Sequence, residues 1–265
     1  EIRLSLVGSE MCIRDSNGFD VMTYDYRGIG ESRPASLKGL KASWSDWGAL
    51  DFEAMLQRAR REFPGQPIDV VGHSFGGCAL GLAASAGVIR RAATMGAQFA
   101  YWRDYVPAQR WRMLGKWHVL MPLLTRLYGY FPGKRLGWME DTPAGVVRDW
   151  ATPHPRYEGR PSGRRLAAER SGQPFAQVSA PILAISVSDD PFGTVAAIER
   201  LLGYFDNSTR THWRIRPEDI GELEIGHFAF FHSRFESRLW PLLLHWLQHA
   251  SPAPNSPGQE LTPGR

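Results

Sequence analysis

Short apolar runs alternate along most of the chain with stretches of helical period. Phe19 to Tyr24 reads as a buried strand that ends in the turn Asp25 to Gly30. About Asp46 to Phe63 reads as a helix in which Trp47, Leu50, Ala54 and Met55 share a face, stopped by Pro64-Gly65. Ile68 to Gly72 predicts a second strand, Phe75 to about Ala86 a helix of small residues, and Ile89 to Met95 a third strand interrupted by Arg90 and Arg91. The same rhythm returns late in the chain, with strands at Pro181 to Ser186 and Thr211 to Arg216 and helices at Thr194 to Phe205 and Ser233 to His249. Strands that alternate with helices predict a mostly parallel sheet with crossover helices, an α/β fold.

The rhythm breaks between Phe99 and Val178. No strand pattern is present there, a helical patch runs from Trp111 to Tyr130, and five tryptophans fall in the segment (Trp102, Trp111, Trp117, Trp138 and Trp150). An aromatic-rich insertion in an α/β chain predicts a cap over one end of the sheet, so the core divides into residues 17–98 and 179–249 with the cap at 99–178. Most of those tryptophans are expected to pack the cap onto the body. Residues 250–265, rich in proline and glycine, predict a disordered tail.

Composition narrows the partners. Thirty-one Lys plus Arg against 27 Asp plus Glu leave a surplus of +4 without a basic block, which argues against a nucleic-acid partner. No apolar stretch reaches the ~18 residues of a spanning helix, so no membrane span and a cytoplasmic protein are expected. Two cysteines, Cys12 and Cys78, supply neither a disulfide framework nor a zinc site, and no metal or cofactor is expected.

The chemistry sits in Gly72-His73-Ser74-Phe75-Gly76, a G-x-S-x-G pattern between an apolar strand and a helix of small residues. A serine raised on so tight a turn needs neighbours without bulk, and Gly76, Gly77 and Ala79 provide them. A serine hydroxyl is a poor nucleophile until a base takes its proton and a carboxylate orients that base. Asp189-Asp190 follows one late strand and His227 follows the next, giving the order serine, acid, histidine. Of the other histidines, His73 is adjacent to the serine and expected to point away from it. His118 and His154 fall in the cap, and His212, His232, His245 and His249 lack a loop position above the sheet. Gly28-Ile29-Gly30-Glu31-Ser32-Arg33 begins like a dinucleotide fingerprint, but Arg33 stands where the third glycine belongs, so a Rossmann site is not expected.

Tyr24 to Ser32, Gly72 to Gly77, Ser188-Asp189-Asp190 and Gly226-His227-Phe228 together resemble the α/β-hydrolase superfamily, and most of all a bacterial branch of unassigned substrate. The resemblance spans about residues 17–249, including Trp117-His118 and Leu127 to Gly133. It implies an α/β-hydrolase fold with a mostly parallel sheet, flanking helices and an inserted helical cap. It also implies a Ser74, Asp190, His227 triad, with the backbone N–H of Phe75 as an oxyanion donor and Asp189 as the alternative acid. The implied reaction is cleavage of a carboxylic ester or thioester through an acyl-enzyme, on a small-molecule substrate with an apolar acyl or aryl group. The competing reading is a ligand-binding protein without catalysis on the same fold.

The resemblance fails at residues 1–16, where Ser5 to Ser16 is similar to a translated sequencing-adapter string. Family members carry a strand and the oxyanion loop ahead of the Phe19 strand, so a second oxyanion donor is expected to be missing. Loss of one such donor costs ~10² to 10³ in rate.

Overall fold

The computed structural model describes residues 17–169 and 174–261, so the adapter-like segment lies outside the described residues. Five strands form the main sheet: β1 (Ile68–His73), β2 (Ile89–Met95), β5 (Ile182–Val187), β6 (Arg210–Ile215) and β7 (Gln259–Leu261), in the order β1-β2-β5-β6-β7. The first four run parallel and β7 is antiparallel to β6.

β5 is buried along its whole length, and its side chains alternate between two cores. Ile182 and Ala184 face one containing Leu80, Phe99 and Phe175, while Leu183, Ile185 and Val187 face another built on Trp240, Leu243 and Trp246. A parallel strand covered on both faces needs this unbroken apolar run. The arginines that interrupt β2 are satisfied at its start: Arg90 pairs with Asp69 on β1, and Arg91 donates to the Leu247 carbonyl.

Helices α1 (Glu53–Glu62), α2 (Phe75–Leu80), α6 (Val195–Leu202) and α7 (Glu236–His249) accompany the sheet. A π-helical segment, Trp47–Phe52, leads into α1. Its wider turns rotate the following residues, so Trp47, Phe52 and Leu56 are buried while Leu50 is 49% exposed. The face expected from a uniform 3.6-residue period, with Leu50 and Ala54 inward, is corrected for that reason.

The insertion between β2 and β5 is mainly helical, with α3 (Met121–Tyr128), α4 (Ala144–Ala151) and α5 (Pro161–Glu169). It also contains a two-stranded hairpin, β3 (Tyr130–Phe131) with β4 (Thr142–Pro143), which its sequence did not predict. A small third core of Tyr105, Met113, Trp117, Met121, Phe131 and Val147 holds it together. Arg160, completely buried, donates to the carbonyls of Phe99, Asp149, Trp150, Thr152 and His154, tying the insertion to the segment that follows β2. Its guanidinium lies 4.9 Å from the Trp44 ring, and burial lowers its pKa to about 10.

Three further expectations differ from the structure. Phe19 to Tyr24 is irregular and takes no place in the sheet, and a cavity lies between it and β1. Its rings still pack, Phe19 against the Trp246 core and Tyr24 against the Phe175 core. The helix after Ser74 ends at Leu80 and Gly81 begins a run of turns, although Leu82, Ala83 and Ala84 are good helix formers, so intrinsic propensity is overridden there. Residues 250–261 are ordered: Trp213 Nε1 donates to the Pro257 carbonyl at 2.7 Å, and β7 pairs with β6 beyond it.

Candidate active site

β1 delivers the chain into a turn at Ser74, whose φ of 51° and ψ of −116° lie in a region that a non-glycine residue rarely occupies. The turn is tight enough that a Cβ on Gly72 would meet the backbone of Gly76 at 2.7 Å, which explains why a glycine precedes it. Phe75 starts α2 and is wedged by the rings of Trp44, Trp47 and Tyr26, with centroids at 5.3, 5.4 and 5.7 Å. These rings hold the residue that follows Ser74, and no spacing in the sequence joins them to it.

Ser74 Oγ lies 3.1 Å from His227 Nε2, and His227 Nδ1 lies 2.7 Å from Asp190 Oδ2. Asp190 is fully buried and His227 is 7% exposed. Burial alone would raise the Asp190 carboxyl. The hydrogen bond and charge of His227, with the N–H groups of Gly193 and Phe192, outweigh it and hold the pKa below the usual carboxylate value. Gly96, at the end of β2, roofs the pair: a Cβ there would stand 3.0 Å from both Asp190 Oδ2 and the His227 ring.

Asp189 takes a different part. Its Oδ2 accepts from the backbone N–H groups of Ile225 at 2.8 Å and Gly226 at 3.0 Å, which pins the loop carrying His227. His73 has a partner that its place in the sequence did not suggest. Its ring sits 4.9 Å from that of His227, and its Nε2–H donates to the His227 carbonyl at 2.7 Å. Burial pulls its pKa down to about 4, so the ring is neutral at physiological pH. The alternation of side chains along a strand suggested that His73 turns away from Ser74, but the His227 loop folds over far enough to meet it.

A second serine–histidine–carboxylate chain exists in the sheet. His212 Nε2 is 2.7 Å from Ser186 Oγ, and Nδ1 is 2.5 Å from Glu199 Oε1. Ser186 is completely buried on β5, so no substrate reaches it, and the chain satisfies polar groups inside the core.

Ser74 and His227 open onto a cavity of about 990 Å³. One arm passes under the insertion, lined by Lys116, Trp117, Trp138, Trp150, Phe192 and Phe228; the other runs between residues 18–24 and β1. Phe192 stands 5.1 Å from the His227 ring and 5.9 Å from that of Trp117, so aromatic walls are continuous from the histidine into the insertion. Among the described residues no group of three His, Cys, Asp or Glu side chains could hold a metal ion, and no helix is long and apolar enough to cross a membrane.

Residues 12–219 match the model of the alpha/beta hydrolase fold family, and the chain belongs to that family. Similar solved structures include Rv0554 from Mycobacterium tuberculosis, at 18% identity and a TM-score of 0.44 over 85% of this chain and 78% of that one. A monoacylglycerol lipase from Paleococcus ferrophilus is 12% identical, with a TM-score of 0.44 over 76% and 75% of the two chains. A meta-cleavage product hydrolase from Pseudomonas fluorescens IP01 is 18% identical, with a TM-score of 0.42 over 86% and 79%. No curated protein matches the sequence.

Proposed function

We propose that the chain is a serine hydrolase that cleaves a carboxylic ester or thioester through an acyl-enzyme. The observation that carries this reading is the relay from Ser74 Oγ to His227 Nε2 at 3.1 Å and from His227 Nδ1 to Asp190 Oδ2 at 2.7 Å. As Ser74 attacks the carbonyl carbon, its proton passes to His227, and the ionised Asp190 stabilises the imidazolium that results. The Phe75 N–H donates to the developing oxyanion. Collapse expels the alcohol or thiol with the proton from His227, and water attacks the acyl-enzyme by the same route in reverse. The rings of Trp138, Trp150, Phe192 and Phe228 favour an apolar acyl or aryl group, because rigid aromatic walls gain by covering apolar surface.

A fluorophosphonate probe tests the reading. The wild-type chain should label, and Ser74→Ala should abolish both labelling and ester turnover while keeping its circular dichroism. Unchanged labelling of that variant would remove Ser74 from the role, and a wild-type chain that never labels leaves the ligand-binding reading in its place. Against p-nitrophenyl esters of graded length, activity confined to acetyl esters would defeat the apolar pocket.

A further inference from the structure

Lys116 lies on the π-helical segment Leu114–Leu120 that leads into α3. Its Nζ is 4.5 Å from the centroid of the Trp117 ring and 4.0 Å from that of Trp138, so two indoles grip one ammonium. All three side chains line the arm of the cavity that passes under the insertion. Single π turns inside α-helices are frequent at functional sites, because the extra residue redirects one side chain out of the helical register.

The other charges on the cavity wall are accounted for differently. Asp69 and Arg90 form an ion pair with each other, and Asp20 belongs to the arm between residues 18–24 and β1. His73 and His227 are bonded within the site itself. No carboxylate among the described residues forms an ion pair with Lys116. Burial and the nearby Arg112 both work against its charge, and only the ring faces answer it. A cation held in place by aromatic faces on the wall of a substrate cavity, without a counter-ion of its own, fits an anion that arrives with the substrate.

We propose that Lys116 is a specificity-determining residue that receives a carboxylate at the far end of the acyl chain, so that the substrates are monoesters or monothioesters of dicarboxylic acids. The inference rests on the serine-hydrolase reading of the same cavity. The methylenes of the acyl chain lie along Trp117, Trp150 and Phe192, and the scissile carbonyl lies at Ser74. Hydrolysis then consumes one water and releases a free dicarboxylate and the alcohol or thiol. A carboxylate suits the site better than a phosphate, since among the described residues lining the cavity Lys116 is the one lysine and Arg90 is already paired with Asp69, a charge that matches one carboxylate and not the roughly −1.5 to −2 of a phosphate.

The test compares p-nitrophenyl monoesters of adipate, suberate and sebacate with neutral p-nitrophenyl esters of equal chain length. The readout is the ratio of kcat/KM for the charged ester to that for the neutral one, which cancels any loss of folded enzyme. In the wild type the ratio should exceed one and peak at one chain length. Lys116→Met should lower that peak about tenfold, and Lys116→Arg should keep most of it. A wild-type ratio at or below one at every length, or an equal ratio in Lys116→Met, overturns the proposal. Binding of adipate and of dimethyl adipate to Ser74→Ala, followed through tryptophan fluorescence, separates the two readings. Adipate binding that weakens about tenfold on adding Lys116→Met, in a wild type that hydrolyses nothing, upholds the carboxylate site and sinks the hydrolase. Adipate that binds no better than its dimethyl ester, with no ester turned over, sinks the carboxylate site.

Discussion

Asp189 and Asp190 are chemically identical neighbours whose partners divide their work. Asp190 meets the His227 ring, whereas Asp189 meets the backbone behind it. Asp190→Asn should lower kcat by about 10³ to 10⁴, because the amide leaves the imidazole in the wrong tautomer. Asp189→Asn should cost less in rate and more in loop order, read as faster amide hydrogen exchange at Ile225 and Gly226. The opposite ranking in rate would make Asp189 the acid. His73 brings a pH dependence of its own. Its pKa falls from 6.5 to about 4 on folding, so the folded state binds protons less readily than the unfolded chain. The stability it contributes is therefore present above pH 6.5 and is lost as pH falls toward 4. His73→Asn should flatten the fall in urea midpoint over that window, and an unchanged slope would rule His73 out as its source. Ser74, Asp190 and His227 were legible in the sequence because each follows a strand in a set order. His73, Lys116 and the separate duties of the two aspartates were not, since each depends on where a distant loop or helix comes to rest.

Among the elements, the two π-helical segments do most to separate the structure from a reading of sequence period. A 3.6-residue repeat carried through Trp47–Phe52 turns Leu50 inward, whereas the structure buries Leu56 and leaves Leu50 half exposed. Leu56→Ala should cost about 2 kcal/mol or more in urea unfolding and Leu50→Ala well under about 1 kcal/mol, and equal costs would contradict the altered phase. The insertion was harder still to read, because its order comes from a small core of its own and from Arg160, and not from any repeat. A planar guanidinium that serves five carbonyls has no replacement in the ammonium of lysine, which is a single point of charge. Arg160→Lys should therefore destabilise by roughly 2 to 4 kcal/mol and loosen the insertion first, seen as early proteolysis between residues 99 and 178. Cleavage at the wild-type rate would show that other contacts hold the segment. Of the strands, β5 was the most legible, because burial on two faces leaves a nearly continuous apolar run over Ile182–Val187.

Over the whole molecule, two ends of the sheet are finished differently. At β6 the side is closed by β7, a strand too short and too polar to be legible as one. At the other end β1 stands beside the cavity, with Val71 at 41% exposure, and residues 18–24 lie across the gap without joining the ladder. Among the described residues no strand pairs with β1 on that side, and a row of backbone donors and acceptors left so is a template for any extended peptide, a second copy of the chain included. The molecule should therefore self-associate by strand addition as its concentration rises. Val71→Lys should suppress this by setting a charge in the docking path, measured as a smaller concentration dependence of the sedimentation coefficient. If the dependence persists unchanged in the variant, association proceeds through some other surface. The same gap that widens the cavity beside Ser74 would then also make the association of copies depend on how concentrated the protein is.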